Sequence, residues 1–286
     1  MATAAPGPER PRRLELVFGP VAGRTELLHA YADPPFAIRP LFYPANDDRA
    51  HFILVQATAG LFGGDALDIS IQVRPGARAV VTSQAAQQLH PSVEAGARAT
   101  QQVRVRVDEG GELHGCFDPL IPFARARLEQ QTALDVAGGG RLFWCEGLMA
   151  GRVRRGERWQ FACLALETAL RRDGDLLYLE RFVLGEGEAD PAAPWAMGRH
   201  RYLGSLLACD ARLDEARGDA LQAALFPPAG ETDDAAVRGA VDLPAPGVLV
   251  GRVIAVDGAS FRRLQHAWRT AAFDVLLQEP APALRP

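Results

Sequence analysis

The residues best suited to chemistry in this chain lie in and around one glycine-rich run, Gln56 to Asp65. Glycine is used where φ must be positive or where another backbone passes closely, so Gly60, Gly63 and Gly64 predict a shaped corner between two strands. Asp65 closes this run. It either caps the corner or lies on a functional path as an acidic ligand or contact.

The glycine run does not have the features of a nucleotide-binding loop. A phosphate loop needs Gly-x-x-x-x-Gly-Lys-Ser/Thr at the start of a helix, whereas here Asp65 stands where a cation is wanted and a strand follows. The dinucleotide spacing Gly-x-Gly-x-x-Gly is absent as well. The chain contains no lysine, which also excludes Schiff-base chemistry on a lysine.

Soft metal ligands are sparse. The six histidines form no His-x-His or His-x-x-x-His pair, and the four cysteines form no Cys-x-x-Cys. Only His114-Gly-Cys116 places two soft ligands on one strand face, and a structural zinc site needs four. The pair is either a polar strand residue beside a small buried cysteine or a transient metal contact, so no tightly bound metal is expected.

Other classes of site are also open. Carboxylates on predicted strands, including Asp65, Glu146 and Glu180, are the groups from which a glycosidase pair is built, but no spacing singles out two of them. No Gly-x-Ser-x-Gly elbow is present. The turn containing Arg152 and Arg155 is either solvated or a docking patch for an acidic partner.

Composition places the chain among globular proteins. Its 286 residues are 48% hydrophobic and 23% charged, and the net charge of −4 argues against a general nucleic-acid binder. We see no signal-peptide pattern and no run of about 18 apolar residues, so we expect no membrane span, reduced thiols and a cytoplasmic location. Residues 1–12, rich in Ala, Pro and Arg, are expected to form a disordered leader.

Period-2 segments recur along most of the remaining chain, with glycine turns between them. Leu67 to Val73 alternates apolar and polar residues, and Val103, Val105 and Val107 share one strand face. This pattern predicts a mainly β protein, as a sandwich, a barrel or a β-helix. Helical spacing appears only near 213–226 and 260–277, in one domain covering 13–286. Phe261 and Trp268 of the last helix lie on an apolar stripe, which is either core or a partner surface.

The ordered set of these motifs resembles the urease accessory protein family UreD, called UreH in some bacteria. The resemblance covers nearly the whole chain from about Leu14. Ala59, His90 and the C-terminal tail depart from the family pattern in detail. The matching segments are Gly23-Arg24-Thr25, Ala59 to Asp65, Thr82-Ser83-Gln84-Ala85-Ala86, Pro119 to Phe123, Gly151-Arg152 with Arg155-Gly156-Glu157, Glu180-Arg181 and Gly247 to Leu277.

The resemblance implies a right-handed β-helix-like stack of strands with a small C-terminal helical part. It implies a non-catalytic metallochaperone that acts with UreF-like and UreG-like proteins on apo-urease, with GTP bound only by the UreG-like partner. Nickel(II) would pass transiently through an internal tunnel. Asp65 is the first candidate for a carboxylate on that path, followed by Ser83, Glu146 and Glu180. Arg152, Arg155, Phe261 and Trp268 are candidate partner contacts.

Two alternatives come from other classes of protein. A β-helical carbohydrate-active enzyme predicts two close carboxylates in an open groove. A structural β binding module predicts no internal path and no acid that lines one.

Overall fold

The computed structural model of the chain describes residues 10–44, 47–92, 94, 96–185, 190–226, 236–278 and 281. Within these ranges the chain forms 17 strands and two α-helices. Residues 1–9 of the expected leader lie outside them. Arg12, which the sequence placed in that leader, already belongs to the first strand.

The strands follow one another with short connections over most of the chain. They are β1 (Arg12–Val21), β2 (Arg24–Ala32), β3 (Phe36–Ala37), β4 (Ala50–Gln56), β5 (Ala66–Val73), β6 (Arg78–Gln84), β7 (Gln88–Leu89), β8 (Ala99–Val107), β9 (Glu112–Cys116), β10 (Ile121–Pro122), β11 (Arg127–Val136), β12 (Arg141–Met149), β13 (Cys163–Arg172), β14 (Asp175–Gly185), β15 (Tyr202–Cys209), β16 (Val237–Ala245) and β17 (Val248–Ala255). A single 3₁₀ turn, Val153–Arg155, follows β12.

Two large sheets contain almost all of these strands. Sheet A has seven strands in the order β14-β13-β11-β8-β5-β1-β2, and sheet B has eight in the order β16-β17-β15-β12-β9-β6-β4-β3. From β4 to β13 the chain passes back and forth between the two sheets, apart from the short strands β7 and β10, which pair with each other.

Both sheets are mixed. Their central strands pair in parallel, whereas β14 and β2 in sheet A and β15, β16, β17 and β3 in sheet B pair antiparallel. The expected mainly β class with a small helical part near the C-terminus is confirmed. A regular β-helical stack is not confirmed, because the antiparallel strands interrupt it on both sides.

The predicted strand faces agree with the burial pattern. In β5 the residues Leu67, Ile69, Ile71 and Val73 are buried and alternate with half-buried polar side chains. In β8 the three valines are buried, whereas Arg104 and Arg106 are exposed. Side chains on alternate positions of a strand point to opposite faces of the sheet, so these apolar faces meet between the two sheets and form the main core.

The two predicted helices are present near the expected positions. Helix α1 (Glu215–Leu225) begins after Asp214, whose side chain accepts a hydrogen bond from the Arg217 amide at 2.9 Å. Helix α2 (Gly258–Ala272) begins after Asp257, and not at Ser260 as the sequence suggested. The Ser260 amide instead donates to Asp257 Oδ1 at 2.8 Å. One π-helical segment, Phe273–Leu277, continues α2.

Helices α1 and α2 cover the outer face of sheet B and form a second core with it. Phe261 is fully buried there, and its ring occupies space left by two glycines of the sheet. A Cβ atom added to Gly147 or Gly204 would lie 2.6 or 2.7 Å from that ring. Within the described ranges, no helix has the length and apolar character needed to cross a membrane.

Candidate functional site

A cavity of about 240 Å³, open to solvent, lies between the two sheets. We call it the inner cavity. Three of the four predicted path residues line it: Ser83 from β6, Glu146 from β12 and Glu180 from β14. These residues are more than 30 positions apart in sequence, and the pairing of the sheets brings them to one place.

Strand register explains why polar groups meet in the inner cavity. In sheet B, Glu146 on β12 lies beside Ser205 on β15, which lies beside Arg252 on β17. In sheet A, Thr168 on β13 lies beside Glu180 on β14. Residues in register on neighbouring strands share a face, so each sheet presents a short polar row toward the other.

Of the two glutamates that line the inner cavity, Glu146 has fewer groups that compensate its negative charge. It is half-buried because it faces the cavity, and it has no ion-pair partner among the described residues. Burial raises the pKa of Glu146 to about 7; the nearby Trp144 indole opposes this rise, and the negative charge of Glu180 adds to it. A carboxyl group of this kind exchanges its proton near neutral pH.

Glu180 lies in a different electrostatic environment. Its Oε1 pairs with Arg252 Nη2, and its Oε2 accepts from Ser205 Oγ at 3.4 Å. Burial raises the pKa of Glu180, whereas the charge of Arg252 and the Ser205 hydrogen bond act in the opposite direction. The negative charges of these two neighbouring carboxylates are therefore stabilised to different extents within one cavity.

Four glutamines extend the polar lining across the main core. Gln87 Nε2 donates to Gln56 Oε1 at 3.1 Å and to Gln101 Oε1 at 3.0 Å. Gln101 Nε2 in turn donates to Gln130 Oε1 at 3.3 Å. These amides are linked by hydrogen bonds, although Gln56 Nε2 is a buried donor without a partner, and they line the inner cavity with oxygen and nitrogen groups.

A second cavity of about 370 Å³ lies on the other side of the glycine corner, and Asp65 lines it. We call it the outer cavity. Gln56, Thr58 and Gly60 line both cavities, so the two adjoin at the corner. Asp65 also caps the turn, because its Oδ2 accepts from the Phe62 amide at 2.7 Å. Asp65 therefore caps the corner and also lines the outer cavity.

The corner itself requires glycine. Gly60 has φ of +135°, and a Cβ atom there would lie 2.2 Å from the Gln88 carbonyl oxygen. Gly64 has φ of +101°, while a Cβ atom on Gly63 would lie 2.6 Å from the Ala97 carbonyl oxygen. Positive φ and close backbone approach are the two conditions that favour glycine. The three glycines therefore allow the backbone shape of the wall between the cavities.

Comparison with known proteins places this architecture in a family. The family model for the UreD urease accessory protein matches residues 11–286. A protein named urease accessory protein UreD 2 from Streptomyces griseus is 31% identical over 290 residues, covering 99% of this chain and 96% of that protein. Urease accessory protein UreD from Ralstonia nicotianae is 32% identical over 208 residues, covering 73% of this chain and 70% of that protein.

The chain belongs to the UreD family. A UreD protein from Sorangium cellulosum is also 35% identical over 215 residues, covering 75% of this chain and 66% of that relative. The match covers the strands that line both cavities and the C-terminal helices.

His114 and Cys116, the soft-ligand candidates of this UreD-family chain, lie on the opposite face of sheet B from the inner cavity. His114 is stacked between Phe143 and Phe273, each with its ring centre 4.5 Å away, and its Nε2 lies 2.9 Å from Glu112 Oε1. Burial lowers the pKa of His114. Its surroundings are those of a core residue beneath α2.

The two arginine candidates lie on the turn after β12. Arg152 pairs with Glu157 and places its guanidinium 4.0 Å from the Phe123 ring centre, so it is held in the fold. Arg155 is exposed on the 3₁₀ turn. Only Arg155 of this pair has a side chain that projects freely into solvent.

Phe261 and Trp268 do not form an exposed partner surface. Phe261 is 0% and Trp268 2% exposed, and both belong to the second core. The apolar stripe of α2 faces sheet B, which corrects the interpretation of these side chains as surface contacts.

Arg252, Ser205 and the glutamine chain were missed by the sequence analysis. Nothing in Gly251-Arg252-Val253 marks this arginine as different from the other arginines of the chain. Its importance follows only from the register that aligns β12, β15 and β17. Across the described ranges, no group of three or more His, Cys, Asp or Glu side chains is arranged to hold a metal ion.

Proposed function

We propose that this chain is a non-catalytic urease maturation factor that conducts nickel(II) through its two adjoining cavities to apo-urease. Family membership supports a role in urease maturation, since the relatives carry that name. The observation that carries the conduit is the position of Glu146 and Glu180 in the inner cavity and of Asp65 in the outer one.

The lining chemistry suits a conduit better than a storage site. Carboxylate and amide oxygens are hard ligands, whereas imidazole and thiolate hold nickel and other transition metals more firmly. The polar lining of the inner cavity consists mainly of carboxylates, amides and hydroxyls. The outer cavity adds Asp65 together with Arg10 and Arg12, and His114 and Cys116 lie elsewhere. A lining of this kind binds the ion weakly enough to release it.

The proposed chain works within a complex. UreF-like and UreG-like proteins are its proposed partners, and the UreG-like protein supplies GTP hydrolysis. The absence of a phosphate-binding motif from the sequence is compatible with that division of labour. Arg155, which is exposed on the turn after β12, is the proposed arginine contact for a partner.

The position of the carboxylates does not favour a carbohydrate-active enzyme. Such an enzyme needs its acid pair in an open groove wide enough for a polysaccharide. Glu146 and Glu180 instead line an inner cavity of about 240 Å³ between two sheets. A purely structural module, in turn, has no need for carboxylates in its core, where charge is costly to bury.

Asp65 provides a test that separates its two roles. We expect deletion of this gene from cells expressing the urease operon to leave urease without nickel, and the wild-type gene to restore it. Asp65→Asn keeps an oxygen acceptor for the Phe62 amide but removes the charge. We expect it to fold like the wild type and to lower urease nickel content.

Asp65→Ala removes both the charge and the capping hydrogen bond, so comparison with Asp65→Asn shows the effect of losing the cap. Nickel content of purified urease and co-purification of the accessory complex are measured for each variant. Normal nickel loading with Asp65→Asn would remove Asp65 from the path. Full loading without the gene would refute the maturation role itself.

A further inference from the structure

Arg252 lies behind the part of the inner cavity wall that Ser205 and Glu180 form. It projects from β17, and its Nη1 donates to Ser205 Oγ at 2.8 Å. Its Nη2 pairs with Glu180 Oε1 and donates to the hydroxyl of Tyr178. Ser205 and Glu180 line the cavity, so the guanidinium lies directly behind two groups of its wall.

This part of the cavity contains two carboxylates and one guanidinium. Glu180 is compensated by Arg252, and Glu146 lies beside Ser205 in the same sheet row. A divalent cation held between Glu146 and Glu180 would meet the positive charge of Arg252 at close range. The two cations would therefore compete for Glu180.

Arg252 has room to leave Glu180. Its side chain is 31% exposed, whereas that of Glu180 is 10% exposed. Its guanidinium carbon lies 5.8 Å from the Tyr178 ring centre and 5.7 Å from that of Phe182, a distance at which aromatic rings attract a cation. The rings and the solvent beyond them provide an alternative position for the displaced charge.

We propose that Arg252 is a displaceable counter-cation that weakens the binding of a divalent cation by Glu146 and Glu180. It neutralises Glu180 while the cavity holds no ion and competes with the ion once it enters. The ion is then held loosely and is released readily. This inference rests on the proposed conduit function and assigns to it a residue that sets affinity.

The test measures Ni²⁺ affinity of the purified full-length chain by equilibrium dialysis. Arg252→Gln removes the competing charge and is expected to tighten binding by roughly tenfold, the change produced by losing one moderately screened like-charge contact. The matched control is Arg181→Gln, on the same strand as Glu180 but paired with Glu167 on the outer face. Its affinity is expected to equal that of the wild type.

A double-mutant cycle locates the effect. In a Glu180→Gln background the competition has no target, so Arg252→Gln is expected to change Ni²⁺ affinity much less than in the wild type. An equal tightening in both backgrounds would overturn competition at Glu180. If Arg252→Gln does not fold, Tyr178→Phe removes one anchor of the guanidinium and keeps every charge. It is expected to tighten Ni²⁺ binding, and an unchanged affinity would overturn the proposal.

The same titrations separate this inference from the conduit itself. Wild-type binding that weakens with Glu146→Gln but does not change with Arg252→Gln would overturn the counter-cation and leave the conduit standing. Binding that is unaffected by Glu146→Gln and Glu180→Gln would refute both, because no ion would then use the carboxylate pair.

Discussion

Glu146 and Glu180 are the same residue type, but their positions in the fold give their carboxyl groups different partners and different proton affinities. Glu180 has Arg252 and Ser205 as partners, and Glu146 has only the cavity, Trp144 and the charge of Glu180 around it. The carboxylate with fewer partners keeps its proton to higher pH. Replacing either residue should therefore have different consequences for stability.

The raised pKa of Glu146 predicts a pH dependence of stability. The folded state holds this proton up to a pKa of about 7, whereas the unfolded chain releases it near 4.5. The free energy of unfolding should therefore fall as pH rises from about 4.5 to 7, by about 3 kcal/mol from this group. Glu146→Gln should remove that fall. Urea unfolding at pH 5 and pH 8 measures it, with the exposed-face variant Glu129→Gln as a control for charge.

An equal pH dependence in the wild type and in Glu146→Gln would show that Glu146 is not held in a poorly solvated site. The control matters because other acids also titrate across this range.

The resemblance to the UreD family singled out Ser83, Glu146 and Glu180 as path candidates, and the structure brings these three together around one cavity. It places Asp65 in the adjoining outer cavity. Arg252 was not predicted, because its role depends on antiparallel pairing between strands distant in sequence. Residue type indicates which chemistry a side chain can perform, but the register between strands determines which other side chains it contacts.

For the strands, sequence periodicity predicted which face of each strand is buried, but it did not predict which strands pair with each other. The alternation in β5 and β8 identified their buried sides correctly. Strands β5 and β8 pair in parallel with each other, although β6 and β7 lie between them in sequence. A local sequence pattern contains no information about such a non-local contact.

Strand β16 was missed for a different reason. Its sequence contains Gly239, Asp242 and Pro244, which are all uncommon within strands. The strand lies at the edge of sheet B, where proline is tolerated because one side needs no ladder hydrogen bond.

Helix α2 provides the prediction at this scale. Phe261→Ala should destabilise the isolated chain by about 3–5 kcal/mol, because the ring fills the space between α2 and two glycines of sheet B. Phe62→Ala, at a phenylalanine that is 44% exposed, is the matched control and should cost about 1 kcal/mol. Thermal unfolding of both variants, without any partner, gives the comparison. A small effect of Phe261→Ala would mean that the helix does not depend on this contact.

In the molecule as a whole, the core between the two sheets is not completely filled by side chains. Protein interiors are normally filled to the density of organic crystals, and empty space is destabilising. Here a cavity of about 240 Å³ persists between the sheets, and carboxylates, hydroxyls and glutamine amides line it together with apolar side chains. The second core, beneath α1 and α2, is filled by apolar side chains in the ordinary way. The fold therefore has two packed cores, and the proposed nickel path lies within the larger one, between the sheets.

The nickel content of urease matured with Glu146→Gln/Glu180→Gln tests the conduit most directly. The double variant keeps the approximate size and polar character of both side chains and removes the charge of both glutamates. At limiting nickel, we predict a fall in nickel per urease of about tenfold, the change that roughly 1.4 kcal/mol of lost attraction produces. The accessory complex should still assemble. Glu167→Gln, on the outer face of sheet A, should give wild-type nickel content. Full nickel loading with the double variant would overturn the proposed conduit, because the ion would then reach urease without using Glu146 or Glu180.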